Sequence, residues 1–208
     1  MLPRLTRTER IAVAAGAGAL ASFGIYRSWH MRWGATDNEL AREMPGDEVV
    51  KQPTFNATRA ITIDASPEEV WPWIAQIGFG RAGWYSYDWL DNLGRPSADR
   101  IIPELQHLEV GTLIPMGPGK ESGLRVNGLE RNRWIFWSDR QGMSTWAWGL
   151  YPAAGGRTRL ITRVRTHYQW TKPAILFSLL LVEPWDFPMM RKCMRGIQHR
   201  AQAMARQG

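Results

Sequence analysis

Asp88 and Asp91 stand one helical turn apart in residues 84–93, a stretch that also holds Trp84, Tyr85, Tyr87 and Trp89. Asp99 and Glu104 follow downstream. Paired carboxylates can exchange protons with a substrate, one acting as acid and the other as base. That chemistry would make Asp88 or Asp99 the acid–base group, with Tyr85 or Tyr87 holding the substrate. Carboxylates at this spacing are far commoner on a solvated helix face. The candidates are therefore Asp88, Asp99 and Tyr87, and no catalytic set is assigned.

Other chemistries leave weaker traces. Gly78-Phe79-Gly80-Arg81-Ala82-Gly83 spells G-x-G-x-x-G, with Glu104 about twenty residues on. A dinucleotide site needs that motif after a strand and at the start of a helix. Here a capped helix precedes it, so a phosphate cradle is not expected. His30, His107, His167 and His199 are scattered without a second ligand at helical or turn spacing, so no metal site is expected. The single cysteine, Cys193, excludes an intrachain disulfide and reads as a packing residue. There is no G-x-S-x-G, and no cofactor is implied.

Composition sets the outer bounds. A chain of 208 residues with 44% hydrophobic and 22% charged residues is long enough for one domain with additions. Its formal charge is +7, but the basic residues, nearly all arginine, lie in no run longer than two. Nucleic-acid binding is not expected from that scatter. Twelve tryptophans must either fill a core or line an apolar pocket.

The elements that would position these residues follow from patterning. Residues 55–64 alternate as a strand. Ser66-Pro67-Glu68-Glu69 opens a helix with a capping box and a proline at its first position. That helix contains Pro72 and ends at Gly78. Residues 84–93 read as a second short helix, with Trp84, Tyr87, Asp88 and Asp91 on one face. Five strands are expected next, at 112–116, 123–130, 134–139, 144–151 and 157–168, separated by turn signals. The last alternates Arg159, Arg163, Arg165 and His167 against Leu160, Thr162 and Val164, which suggests a solvated basic face over an apolar one. Trp146, Trp148 and Leu150 share a strand face. The run PAILFSLLLV within 172–185 is too short to span a membrane and reads as a buried segment or a lid. A helix from about Pro188 carries Phe187, Met190, Met194, Ile197, Ala201 and Met204 as one apolar stripe.

The N-terminus is a separate case. Residues 11–26 carry no charge and lie between Arg4, Arg7, Arg10 and Arg27, His30, Arg32. As a helix they span about 24 Å, short of a hydrocarbon core of about 30 Å. Flanking Arg27 and Trp29 would close the gap. A single membrane anchor is the leading reading. A signal peptide cut near Ala19-Leu20-Ala21, or a helix lying at a surface, are the alternatives. The organisation expected is a basic tail (1–10), a hydrophobic helix (11–27), a polar connector (28–54) and a ligand-binding domain (55–208). The domain is otherwise cytoplasmic in character, and the sequence leaves its oligomeric state open.

Strand, short helices, antiparallel strands and a long last helix form an α+β, helix-grip order. The chain resembles the SRPBCC superfamily, which includes START-like and polyketide cyclase/dehydratase-like proteins. The resemblance is carried by Ile61–Ile63, by Ala65-Ser66-Pro67-Glu68-Glu69-Val70-Trp71 and by the terminal amphipathic helix. Trp33-Gly34-Ala35-Thr36, Tyr85-Ser86-Tyr87-Asp88 and Ser97-Ala98-Asp99-Arg100-Ile101 add a bacterial subgroup signature. It implies a sheet of six or seven strands curled around the helix, with a cavity for a hydrophobic small molecule or lipid. On that footing Trp84, Tyr85, Tyr87 and Trp89 would line the cavity's edge, Trp146 and Trp148 its wall, and Arg100 would orient a polar end. Binding or transport at a membrane is the expected function. A cyclase- or dehydratase-like enzyme using a cavity aspartate and tyrosine is the alternative.

Overall fold

The computed structural model describes residues 6–119, 122–168 and 183–207. Three helices begin on the same device. In α1 (Arg7–Met31), α2 (Asp37–Ala41) and α3 (Pro67–Ala75), a Thr or Ser side chain accepts from an amide three residues on, and the Glu there reaches back. The pairs are Thr6 with Glu9, Thr36 with Glu39 and Ser66 with Glu69. Each box satisfies two otherwise orphaned amides and fixes where the helix starts.

Six antiparallel strands follow the order β1-β6-β5-β4-β3-β2. They are β1 (Phe55–Ile63), β2 (Leu113–Pro115), β3 (Gly123–Glu130), β4 (Trp134–Ser138), β5 (Ser144–Ala153) and β6 (Arg157–Thr166). A meander from β2 to β6 is thus completed by the first strand. Register decides the two faces. Trp146 lies opposite both Trp137 and Val164, and Leu150 opposite Leu160, on one face. Ile161 and Arg163 lie opposite Ala60 and Thr58 on the other.

The last helix, α5 (Glu183–Ala205), crosses the tryptophan face. Phe187, Met190, Met194, Ile197 and Ala201 are buried along it, at the spacing that the stripe requires. Each large apolar side chain so buried contributes roughly 1.5–3 kcal/mol. Together with α3 they make the main core, around Trp71, Trp73, Ile135, Trp137 and Trp148. The helix begins five residues before the expected Pro188, which sits inside it. As the sixth residue of the helix it removes one amide from the intrahelical ladder.

Two expectations need correction. Residues 84–93 are not a helix; only α4 (Asp88–Asp91) is helical. Gly83 and Tyr85 adopt left-handed φ values of 80° and 55°, and the approaching Ser97 would clash with any Cβ at Gly83. The basic face of β6 is not solvated either. Residues 35–52 cover it, with Met44 packed against Ala60, Phe136, Ala147 and Ile161. Arg163 is 3% exposed. It donates to Asp47 at 2.5 Å, to Thr58 at 2.8 Å, and to the carbonyls of Glu39, Leu40 and Arg42. The carbonyls it takes lie at the end of α2 and just beyond it, where the helix stops at Ala41. The run 172–185 falls largely outside the described residues.

α1 is exposed from Thr6 to Ile25. It is long and apolar enough to cross a membrane by length and composition. Its last turn is different: His30 is buried, and its carbonyl accepts from Arg59 Nε at 2.9 Å.

Candidate functional site

The G-x-G-x-x-G segment is a structural joint. Arg81 folds back so that its guanidinium donates to the carbonyls of Ala75, Ile77 and Leu105, which closes the C-terminal end of α3. Gln76 then ties three segments together. Its Nε2 donates to the Tyr85 hydroxyl at 2.9 Å and the Arg100 carbonyl at 3.1 Å, while its Oε1 accepts from the Ile102 amide at 2.9 Å. The Tyr85 hydroxyl in turn donates to the Trp73 carbonyl at 3.2 Å. Burial pushes that phenol well above its ordinary range, so Tyr85 stays neutral.

The loop between Gly83 and α4 is clamped from both sides. Asp88 accepts from the Ser97 hydroxyl at 2.5 Å and the Ser97 amide at 3.1 Å, and Ser97 Oγ accepts from the Tyr85 amide. Ser86 donates to the Met189 carbonyl of α5 at 3.0 Å. On α5, Gly196 lets the helix backbone come close: a Cβ there would meet the Tyr85 carbonyl oxygen at 2.4 Å. Arg200 lies over the Tyr85 ring at 4.5 Å.

This clamping leaves a half-open apolar pocket of about 130 Å³ beside β5 and α5. Trp84 and Trp146 face it, stacked at 5.5 Å and 8°. Met116, Met189 and Met190 complete the apolar lining. Behind Trp146 stand Trp137 and Trp148, at ring separations of 5.2 and 5.3 Å. The Trp146 indole N–H is satisfied by Thr162 Oγ1 at 2.8 Å, which fixes the ring's orientation.

Four groups with polar chemistry also line the pocket: Ser86, Asp91, Asp186 and Cys193. Asp186 pairs with the buried Arg59 at 2.7 Å. Asp91 is the opposite case. Both its carboxylate oxygens are buried without a hydrogen-bond partner. Desolvation raises its pKa above the ordinary carboxylate range, with the nearby Ser86 hydroxyl opposing the shift and Asp88 adding to it. Burial also pushes the Cys193 thiol far up, so it is no nucleophile at neutral pH.

Of the residues expected at a site, the structure brings Trp84 and Trp146 together in the pocket. Trp148 is fully buried one layer behind. Tyr85 points away into the core. Tyr87 is half-buried beneath Lys192 Nζ, 4.0 Å from its ring centroid. Trp89 is 70% exposed, and Asp99 and Arg100 are exposed. Asp88 faces Ser97. The sequence reading placed Asp91 one turn from Asp88 but did not single it out. Its neighbours, Leu90 and Asn92, carry no signal that its carboxylate would be buried. Among the described residues no group of His, Cys, Asp and Glu is arranged to hold a metal ion.

No family model and no curated protein matches the chain. Solved structures do. Protein MLL2253 from Mesorhizobium loti is 13% identical, the match covering 69% of this chain and 95% of that one, at a TM-score of 0.36. The Aha1 dimer from Colwellia psychrerythraea is 16% identical over 66% and 92%, at 0.36. The Polyketide_cyc-like protein Cgl2372 from Corynebacterium glutamicum is 17% identical over 73% and 89%, at 0.35. The fold assignment rests on strand order and helix placement within the chain: this is an α+β protein with the helix-grip architecture of the SRPBCC superfamily it resembles.

Proposed function

We infer that this protein binds a hydrophobic small molecule in the pocket between β5, the 84–91 loop and α5. The observation that carries the reading is the open apolar space itself, faced by two stacked tryptophans and three methionines. Protein cores are packed without such gaps, and aromatic and thioether surfaces suit apolar ligands. At about 130 Å³ the space is small beside the roughly 300 Å³ lower bound of drug-sized sites. It suits one ring or one chain end, so a lipid-like ligand would enter by a single end. Native mass spectrometry of the full chain from its own host should show a co-purified apolar ligand. Ligand-free protein that also fails to take up small aromatic probes would overturn the reading.

The protein acts at a membrane in this reading, held by α1. Twenty consecutive residues, 6–25, are exposed, and Trp29 and Trp185, 50% and 58% exposed, are suited to the interfacial zone. Full-length protein should sediment with membranes and be released by detergent but not by salt. Recovery in the soluble fraction without detergent would remove the anchor.

A cyclase- or dehydratase-like enzyme is the second reading. Its support is Asp91, a desolvated carboxyl in a pocket, as acid–base catalysis requires. Asp88 is engaged by Ser97, and Asp99 is exposed. An activity unaffected by Asp91→Asn would exclude this reading.

A further inference from the structure

We propose that the ligand of this pocket is an amine: an apolar body ending in a protonated nitrogen that docks on Asp91. The inference rests on the cavity-binding reading above and names the chemical class that the cavity selects.

The pocket's charged chemistry has one sign. Asp91 and Asp186 are its only ionisable oxygen-bearing linings, and no basic side chain lines it among the described residues. The two carboxylates differ in what they already have. Asp186 is neutralised by Arg59 at 2.7 Å. Asp91 has two buried oxygens with no partner in hydrogen-bonding geometry, and only the Ser86 hydroxyl and the amides of its own turn lie near enough to ease its charge. The Ser86 hydroxyl beside it already donates, to the Met189 carbonyl. A buried carboxyl without partners is costly to maintain, and an incoming N–H donor removes that cost.

The rest of the lining agrees. Trp84 and Trp146, stacked on one another at 5.5 Å, border the same space and give an apolar body aromatic surface to pack on. Carboxylate- or phosphate-ended ligands find the reverse: no cation to meet them and two acidic groups to repel them. A neutral apolar ligand fills the space but leaves Asp91 as it is.

The groups that face Asp91 are Asp88 and Ser86 from its own loop and Cys193 from α5. None carries positive charge. Burial holds the Asp91 carboxyl above the ordinary carboxylate range, and it must ionise to hold an ammonium. Amine binding releases a proton there, and its affinity falls as pH is lowered.

Four probes of one shape separate these cases in titrations of the full chain in detergent, read by calorimetry and tryptophan fluorescence. They are phenethylamine, phenethyl alcohol, hydrocinnamate and propylbenzene. Phenethylamine should bind at least about tenfold more tightly than hydrocinnamate. Asp91→Asn should abolish that advantage and leave propylbenzene within about twofold. In the unmodified protein, amine affinity alone should weaken between neutral pH and mild acid. This second readout does not depend on the variant folding. Hydrocinnamate binding as well as phenethylamine, or an amine advantage that survives Asp91→Asn, overturns the inference and leaves the cavity reading standing. Failure of all four probes overturns both.

Discussion

The two faces of the sheet treat charge in opposite ways. On the outer face, three arginines of β6 meet a full set of partners. Arg159 grips Glu39 with two hydrogen bonds of 2.7 and 2.9 Å, Arg163 and Arg165 share Asp47, and connector carbonyls take the remaining donors. On the inner face, Asp91 has buried oxygens and no partner. A satisfied buried network holds a structure together, whereas an unsatisfied group is retained at a cost in stability. The contrast separates a satisfied clamp on the sheet from an unsatisfied carboxyl on α4 that borders the pocket.

The largest effect expected is on the clamp. Arg163→Met leaves Asp47 with only Arg165 and the Met44 amide and takes the Arg163 donors from three carbonyls, and should lower unfolding free energy by about 3–5 kcal/mol. Chemical denaturation measures it. A loss below about 1 kcal/mol would mean that residues 35–52 are a loose cover, and the contrast between the faces would fail.

Glu39 sharpens the same side. The hydrogen bonds from Arg159 hold its pKa at about 2, against an ordinary 4.5. A depressed carboxylate contributes stability above its unfolded pKa and loses it as pH falls through the folded one. The contribution should be complete above about pH 4.5 and fade toward pH 2. Glu39→Gln should cost about 2 kcal/mol at neutral pH, and the gap should narrow in acid. A gap constant with pH would show that the ion pair is idle.

Asp91 should give the smallest effect, with the opposite sign. Its folded pKa is raised, so what it adds to stability is present in acid and lost as pH rises. Asp91→Asn should therefore raise the melting temperature at neutral pH, by a gain of about 1 kcal/mol, and the gain should disappear on acidification. A destabilised variant at neutral pH would place Asp91 among the clamps.

Most of the fold was legible because its signals are local. The capping box at Ser66, the alternation in β1 and β6 and the three-and-four spacing of Met190, Met194 and Ile197 each depend on residues a few positions apart. The site was legible only in part. Trp84 and Trp146 were expected at the pocket, but Tyr85 was expected there too, and it turns into the core at a left-handed φ. That turn is imposed by Ser97 and by Gly196, twelve and more than a hundred residues away. The basic face of β6 misled for a similar reason. Alternation shows that Arg163 and Arg165 share a face, but the connector that covers them is distant in sequence.

The burial of His30 has a mechanical consequence. Tyr26, Trp29, His30 and Trp33 close on the Phe187 ring, while Arg59 joins the His30 carbonyl to Asp186. α1 therefore enters the domain as a rigid mast, with no slack between them. Tilt or tension applied to that helix is delivered to Phe187 and Asp186, and Asp186 is a wall of the pocket. The foot of α1 and one wall of the pocket are thus joined through a single side chain, Arg59.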